Sequence, residues 1–174
     1  MANINKYRLL TRGDLDGLVC AVLMKHLDIV DEIKFVERPS DRQLGNVKGS
    51  DRDICTNLPY VDGDHLAIDH HFSEAKRNKQ NDRLVIDPDA PSAARVVYSY
   101  YGGKEKFPDL FDDMMKWVDI ADAGQFSKED ILFPKKFPSQ PASLLYPYFF
   151  IFSAMLTPNH RAPTHNCCHT AIGG

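Results

Sequence analysis

Apolar and polar positions repeat with two different periods along the first 130 residues, and the two periods predict strands and helices in turn. Short apolar or alternating runs predict five β-strands: Tyr7–Thr11, Glu32–Val36, Asp53–Leu58, His65–Ile68 and Arg83–Asp87. Helical patterns predict four helices: Leu18–Leu27, a short one starting in a capping box at Ser40, Pro91–Tyr101 and Pro108–Asp122. This alternation predicts an α/β fold with a mostly parallel sheet and helices on both faces.

The first and the last predicted helices differ in character. Residues 18–27 are apolar on all sides, which predicts a buried helix. The last helix is amphipathic, and its predicted core face is Leu110, Met114, Trp117, Val118 and Ala121.

Charge changes abruptly near Ile131. All 24 acidic residues lie at or before Asp130, so residues 1–130 carry a net charge of −6 and the last 44 carry +3. Six of the eleven prolines also fall in those last 44 residues. We therefore predict a domain over 1–130 and an atypical Pro-rich tail over 131–174, either disordered or the product of a shifted reading frame. Its apolar run Ala142–Leu156 is too short to span a membrane.

Composition excludes some classes of function. The net charge is −3, which argues against a basic surface for long duplex nucleic acid. Four cysteines do not form a disulfide framework, and Cys20 and Cys55 fall on apolar segments where buried thiols are common. No signal peptide is recognised, so we expect a cytoplasmic protein with no membrane contact.

The strongest chemical signal is Asp69-His70-His71, which follows a short apolar run and predicts a cluster of ionisable groups at a strand end. Asp14-x-Asp16-Gly17 follows the first strand, and Asp122 ends the last helix. Carboxyl ends of parallel strands meet at one edge, where such groups would repel one another unless a cation joined them. Taken alone, Asp14 and Asp16 are equally consistent with a plain turn. Asp122 alone is equally consistent with a solvated acid at a helix end.

Four segments together resemble the DHH phosphoesterase superfamily. Thr11–Leu18 resembles its motif I, Asp53–Pro59 occupies the place of motif II, Leu66–His71 is motif III, and Ile120–Gly124 resembles motif IV. The resemblance covers roughly residues 6–126 and implies a phosphohydrolase acting on phosphodiester or phosphoanhydride bonds. Its substrates would be polyphosphate, short oligoribonucleotides or cyclic dinucleotides.

The resemblance also implies roles for individual residues around two divalent cations, usually manganese, with magnesium as the alternative. Asp14 would bind the first cation, and Asn57 would occupy its bridging position. The second cation would be bound by Asp16, His70 and Asp122. His71 would face the substrate phosphate, and Asp69 would orient its neighbours.

Three departures from the family pattern bear on activity. Leu10 stands where the family commonly has a histidine, and the uncharged Asn57 replaces a bridging carboxylate. No Gly-Gly-Gly-His stretch of a second substrate domain is recognisable. Arg12 is a candidate phosphate clamp in compensation. We therefore expect one tight metal and a weak or substrate-dependent second one.

Other readings stay open. The chain could be a phosphate- or nucleotide-binding module that has lost catalysis, or a truncated inactive fragment. Ser92 and Arg95 could hold phosphate or simply begin a helix, and the tyrosines at 98, 100 and 101 could stack on bases or pack in the core. Lys76–Lys79 is read as a solvated loop, and the adjacent cysteines of His165–His169 argue against a zinc site. The sequence does not indicate an oligomeric state.

Overall fold

The computed structural model describes residues 6–78 and 82–132, which belong to one compact unit, Met1–Pro134. The strands are β1 (Tyr7–Arg12), β2 (Val30–Val36), β3 (Asp53–Thr56), β4 (Leu66–Asp69) and β5 (Leu84–Ile86). The helices are α1 (Leu15–His26), α2 (Ser40–Gln43), α3 (Phe72–Arg77), α4 (Ala93–Tyr100), α5 (Leu110–Asp122) and α6 (Lys128–Leu132). The predicted tail beyond residue 132, with its apolar run and its cysteine–histidine cluster, lies outside the described residues.

All five strands are parallel and lie in the order β2-β1-β3-β4-β5, which confirms the predicted α/β class. The chain reverses its direction of travel across the sheet between β1 and β3. In open α/β sheets, a crevice forms at the carboxyl ends of the strands at such a point. The topology therefore places a ligand site next to the ends of β1 and β3.

The two faces of the sheet are filled differently. Helix α1 contacts β1 and also packs against α4 and α5. Leu10 and Thr11, which are consecutive in β1, point to opposite faces: Thr11 hydrogen-bonds to the Gly17 carbonyl in α1, whereas Leu10 lies in an apolar cluster. Its partners there are Val36, Cys55, Leu58 and Ala67, with Val47, Tyr60 and Leu84 packed against them.

Helix α1 begins three residues earlier than predicted. Asp14 caps it, because its Oδ1 accepts a hydrogen bond from the Gly17 amide at 2.9 Å, so Asp16 and Gly17 belong to the first helical turn. A Cβ on Gly17 would lie 2.0 Å from the Arg12 carbonyl oxygen. The glycine is thus needed for this close approach of the backbone.

The predicted core face of α5 was right at Val118 and one position too early at Leu110 and Met114. The helix buries Phe111, Met115 and Val118, while Leu110 is 56% exposed. Phe111 packs on His26 and Phe107, with ring centroids 4.8 and 5.7 Å away. That tertiary contact, which the periodicity alone could not reveal, sets the rotation of the helix.

Two short helices were missed. Lys76 and Arg77, read as part of a solvated loop, end helix α3, and α6 follows a turn after α5. In the described part of the chain, no helix has the length and apolar character that crossing a bilayer requires.

Candidate active site

The predicted site residues follow strand ends around the crevice at the β1–β3 boundary. Asp14 and Asp16 come after β1, Asn57 comes directly after β3, and Asp69 ends β4 with His70 and His71 behind it. Asp122 arrives from a different direction, as the last residue of α5. The chain therefore brings four separate segments to one place.

Three of these residues form a compact group. Single ligand atoms of Asp16, His70 and Asp122 all lie within 4.8 Å of one another. Nε2 of His70 is 3.1 Å from Oδ2 of Asp122. Asp69, His70 and His71 form a second group by the same measure. Asp14 belongs to neither group.

Asp16 is almost fully buried, at 1% exposure, beside the start of α4. Its Oδ2 and Oδ1 accept hydrogen bonds from the amides of Ala93 and Ala94 at 2.9 and 2.7 Å. Burial raises the pKa of Asp16 to about 6, and these two amides oppose that rise only in part. A buried carboxylate of this kind would be relieved by a nearby cation.

His70 has a fixed orientation. Its Nδ1 lies 3.2 Å from the Ala90 carbonyl oxygen, which can only accept, so Nδ1 carries the proton. Nε2 then faces Asp122. The contact with Asp122 is the main cause that raises the pKa of His70 to about 9, against the effect of burial. A metal-binding histidine typically donates its other ring N–H to a carboxylate, a backbone carbonyl or water, and Nδ1 of His70 makes such a bond to the Ala90 carbonyl.

Asp122 occupies a position that does not favour an acid. It is the last residue of α5, whose last turn contains no basic residue. The carbonyl end of a helix carries partial negative charge, so a carboxylate there costs free energy unless positive charge lies close. His70 supplies some of that charge, and a cation would supply more.

Asp69 holds His71 rather than pointing away from it. Oδ1 of Asp69 accepts from Nδ1 of His71 at 2.8 Å and from the His70 amide at 2.8 Å. This hydrogen bond raises the pKa of His71, whose side chain is 41% exposed. Because Nδ1 of His71 is bonded to Asp69, its Nε2 is the ring nitrogen left to contact a substrate.

Asp14 is engaged by protein groups instead of joining the compact group. Nε of Arg12 lies 3.0 Å from its Oδ2, and Nδ2 of Asn57 donates to its Oδ1 at 3.1 Å. Asn57 adopts a left-handed backbone conformation, φ +53°, which asparagine tolerates better than most residues. Leu10 is fully buried in its apolar cluster. The first cation set of the family pattern is thus replaced here by an ion pair and apolar packing.

Buried polar atoms without a hydrogen-bond partner provide a test of whether a cation fits. Among the described residues there are five: Asn57 Oδ1, Asp69 Oδ2, His70 Nε2, Arg42 Nε and Asp64 Oδ1. Of these, His70 Nε2 has the close contact with Asp122 at 3.1 Å, but without the geometry of a regular hydrogen bond. The first three lie at this crevice, and the last two belong to a separate buried ion pair. Oxygen and imidazole donors together suit a divalent cation such as Mn²⁺. The residues present therefore fit a metal.

The network behind the site was only partly visible in the sequence. Ser92 caps α4, because its Oγ accepts from the Arg95 amide at 3.0 Å, and both side chains bind Asp119. The sequence left two roles open for Ser92 and Arg95, binding phosphate or beginning a helix, and the structure shows them at the beginning of a helix. Asp119 gave no signal at all, since a single acid on an amphipathic helix usually faces solvent.

Comparison with known proteins finds a similar solved structure. No protein-family model and no curated protein matches the chain. Among solved structures it is similar to a pGpG-specific phosphodiesterase, PggH from Vibrio cholerae, with 48% sequence identity and a TM-score of 0.66. The match covers 74% of this chain and 40% of that chain.

The five-stranded parallel α/β fold and the similarity to this solved phosphodiesterase support the relation to the DHH phosphoesterase superfamily that the four motifs predicted. The chain spans only 40% of the length of its solved neighbour PggH.

Proposed function

We propose that this chain is a divalent-metal-dependent phosphohydrolase, with Mn²⁺ as its metal, that cleaves phosphodiester bonds in short nucleotides. The observation that carries the proposal is the convergence of Asp16, His70 and Asp122 from three separate segments, with ligand atoms within 4.8 Å. Similarity to a solved phosphodiesterase supports the reaction class.

Each residue has a distinct role in this proposal. Asp16, His70 and Asp122 hold the cation, which stabilises negative charge on phosphoryl oxygens when it is bound. The hydrogen bond to Asp69 raises the pKa of His71 and so favours the charged form of its ring. Its Nε2–H donates a hydrogen bond to a phosphate oxygen and gives its proton to the leaving oxygen as the P–O bond breaks under attack by water; solvent then reprotonates the ring.

Arg12 is the second cationic group on the substrate side. Its side chain is 42% exposed and pairs with Asp14. A guanidinium is permanently charged and offers several donors, so it can bind Asp14 and a substrate phosphate together. Fixed positive charge in this position compensates for the family's first cation, and the chain then needs one tightly bound metal.

An exposed phenylalanine favours a nucleotide over polyphosphate. Phe72 directly follows His71 and is 62% exposed, and Nζ of Lys76 lies 4.5 Å from its ring centroid. A nucleobase gains about 1–3 kcal/mol by stacking on an aromatic ring, whereas polyphosphate has no such face. The solved neighbour is named for pGpG, a dinucleotide. We therefore place linear dinucleotides and short oligoribonucleotides ahead of cyclic dinucleotides and polyphosphate.

The test compares two histidines in the same segment. The protein is stripped with chelator, reloaded with Mn²⁺ and assayed on pGpG, a cyclic dinucleotide, a short oligoribonucleotide and tripolyphosphate. His70→Ala should abolish both tight Mn²⁺ binding and hydrolysis. His65→Ala, just before the opposite end of β4, where His65 stacks on Tyr7, should leave both unchanged. Equal activity in the two variants would contradict the proposal.

A binding module without catalysis is the second candidate. It is favoured by two positions of the first cation set that the resemblance implies: Leu10 is packed among apolar side chains, and Asn57 is uncharged and donates to Asp14. Metal-enhanced binding of pGpG without product release would select it. A protein that neither binds Mn²⁺ nor melts cooperatively would instead indicate an inactive fragment.

A further inference from the structure

The start of α4 touches two of the three proposed metal ligands directly. The Asp16 carboxylate accepts from the amides of Ala93 and Ala94. The Ala90 carbonyl, in the turn that leads into the helix, accepts from Nδ1 of His70 at 3.2 Å. Both ligands are therefore oriented by one short backbone segment.

The third ligand is reached through Asp119. Oγ of Ser92 donates to Oδ1 of Asp119 at 2.8 Å, and Nε of Arg95 donates to Oδ2 at 2.9 Å, with a second guanidinium contact from Nη2. The Arg95 guanidinium also lies 5.3 Å from the Tyr98 ring centroid, which restrains its own position. Asp119 is thus held through both of its oxygens.

Asp119 lies three residues before Asp122, on the same side of α5. The helix ends at Asp122, and Gly124 turns the chain away with φ +64°. No later helical turn fixes the direction of the Asp122 side chain. The hydrogen bonds from Ser92 and Arg95 to Asp119 therefore fix the side of α5 that carries Asp122 one turn before it.

We propose that Ser92, Arg95 and Asp119 form a positioning network that sets Asp122 against His70 and Asp16, and thereby sets the affinity of the metal site. The proposal rests on the metal centre proposed above. Helices α4 and α5 already pack through apolar contacts. A partly buried ion pair adds little net stability to such packing, but its paired hydrogen bonds add direction.

The experiment measures Mn²⁺ binding to the metal-free protein by calorimetry and the Mn²⁺ electron paramagnetic resonance spectrum. Arg95→Met and Asp119→Asn should each raise the dissociation constant about 10- to 100-fold, as is usual for outer partners of metal ligands. The double variant should lose no more than the stronger single variant, because the residues act as one unit. Arg95→Lys, which keeps the charge, should recover part of the affinity.

A matched control pair includes Asp112, which lies on the same helix as Asp119. Lys104 and Asp112 form an exposed ion pair at 3.1 Å, far more solvated than Arg95 and Asp119. Lys104→Met and Asp112→Asn should leave Mn²⁺ affinity and the spectrum unchanged.

The possible outcomes distinguish the positioning network from the metal centre itself. If the parent binds Mn²⁺ tightly and the Arg95 and Asp119 variants match it while remaining folded, the positioning network is refuted and the metal centre stands. If the parent binds no Mn²⁺, the centre itself is refuted, and the network with it. If Arg95→Met fails to fold, Arg95→Lys and Asp119→Asn decide the question by the same measurement.

Discussion

Removing the Asp122 carboxylate tests the geometry of the site without any metal. The contact between His70 and Asp122 is the largest cause of the high pKa of His70. In Asp122→Asn this pKa should fall from about 9 to near its ordinary value of 6.5. The difference corresponds to about 3 kcal/mol of preference for the charged imidazole ring, at about 1.4 kcal/mol for each tenfold change.

The same pairing predicts how stability depends on pH. The pKa of His70 is higher in the folded than in the unfolded protein, so its contribution is complete below pH 6.5 and is lost as the pH rises to about 9. In chelator, the parent should exceed Asp122→Asn by about 2–3 kcal/mol in unfolding free energy near pH 6. The two proteins should become equally stable above pH 9.

Two measurements check this prediction. Nuclear magnetic resonance follows the His70 ring proton through the titration, and urea unfolding at several pH values gives the stability difference. Asp112→Asn, an exposed acid on the same helix, serves as the control and should change neither result. A parent His70 that titrates near 6.5, or an unchanged titration in Asp122→Asn, would refute the described contact.

Three further predictions concern other parts of the molecule. Asp64→Ala leaves the fully buried Arg42 without its partner and should cost about 3–5 kcal/mol in urea unfolding; a loss below 1 kcal/mol would mean that the pair is solvated. Leu10→His combined with Asn57→Asp restores the residue types that the family has at both positions and should raise bound Mn²⁺, measured by elemental analysis, from one to two per chain; a folded variant that still binds one would contradict this. Phe72→Ala should lower kcat/KM for pGpG about 5- to 150-fold, which corresponds to the loss of about 1–3 kcal/mol of base stacking. Cleavage of tripolyphosphate, which has no base, should be unchanged. An equal loss on both substrates would exclude stacking.

The sequence predicted much of the fold because alternation and turn residues are local signals. All five strands and the three longest helices were found near their observed bounds, and the parallel α/β class followed from their order. Helix α3 was missed because all of its residues except Glu74 face solvent, which leaves no apolar period to read. The rotation of α5 was wrong because contacts of Phe111, and not the helix itself, decide it.

The site was predicted to a similar extent. The clusters of ionisable residues at positions 69–71 and at Asp14 and Asp16 could be recognised directly, because their members are adjacent or nearly adjacent in the sequence. Their assignment to metal and phosphate is still a prediction.

The sequence by itself determined which chemical groups are present and that parallel strands would deliver most of them to one edge. The resemblance implied that Asp16, His70 and Asp122 act together, but only the tertiary structure brings their ligand atoms within 4.8 Å of one another. It also shows that Asp14 pairs with Arg12 and Asn57. The reason is physical. Periodicity and capping act over a few residues, whereas the distance between side chains on β1, β4 and α5 depends on how whole elements pack.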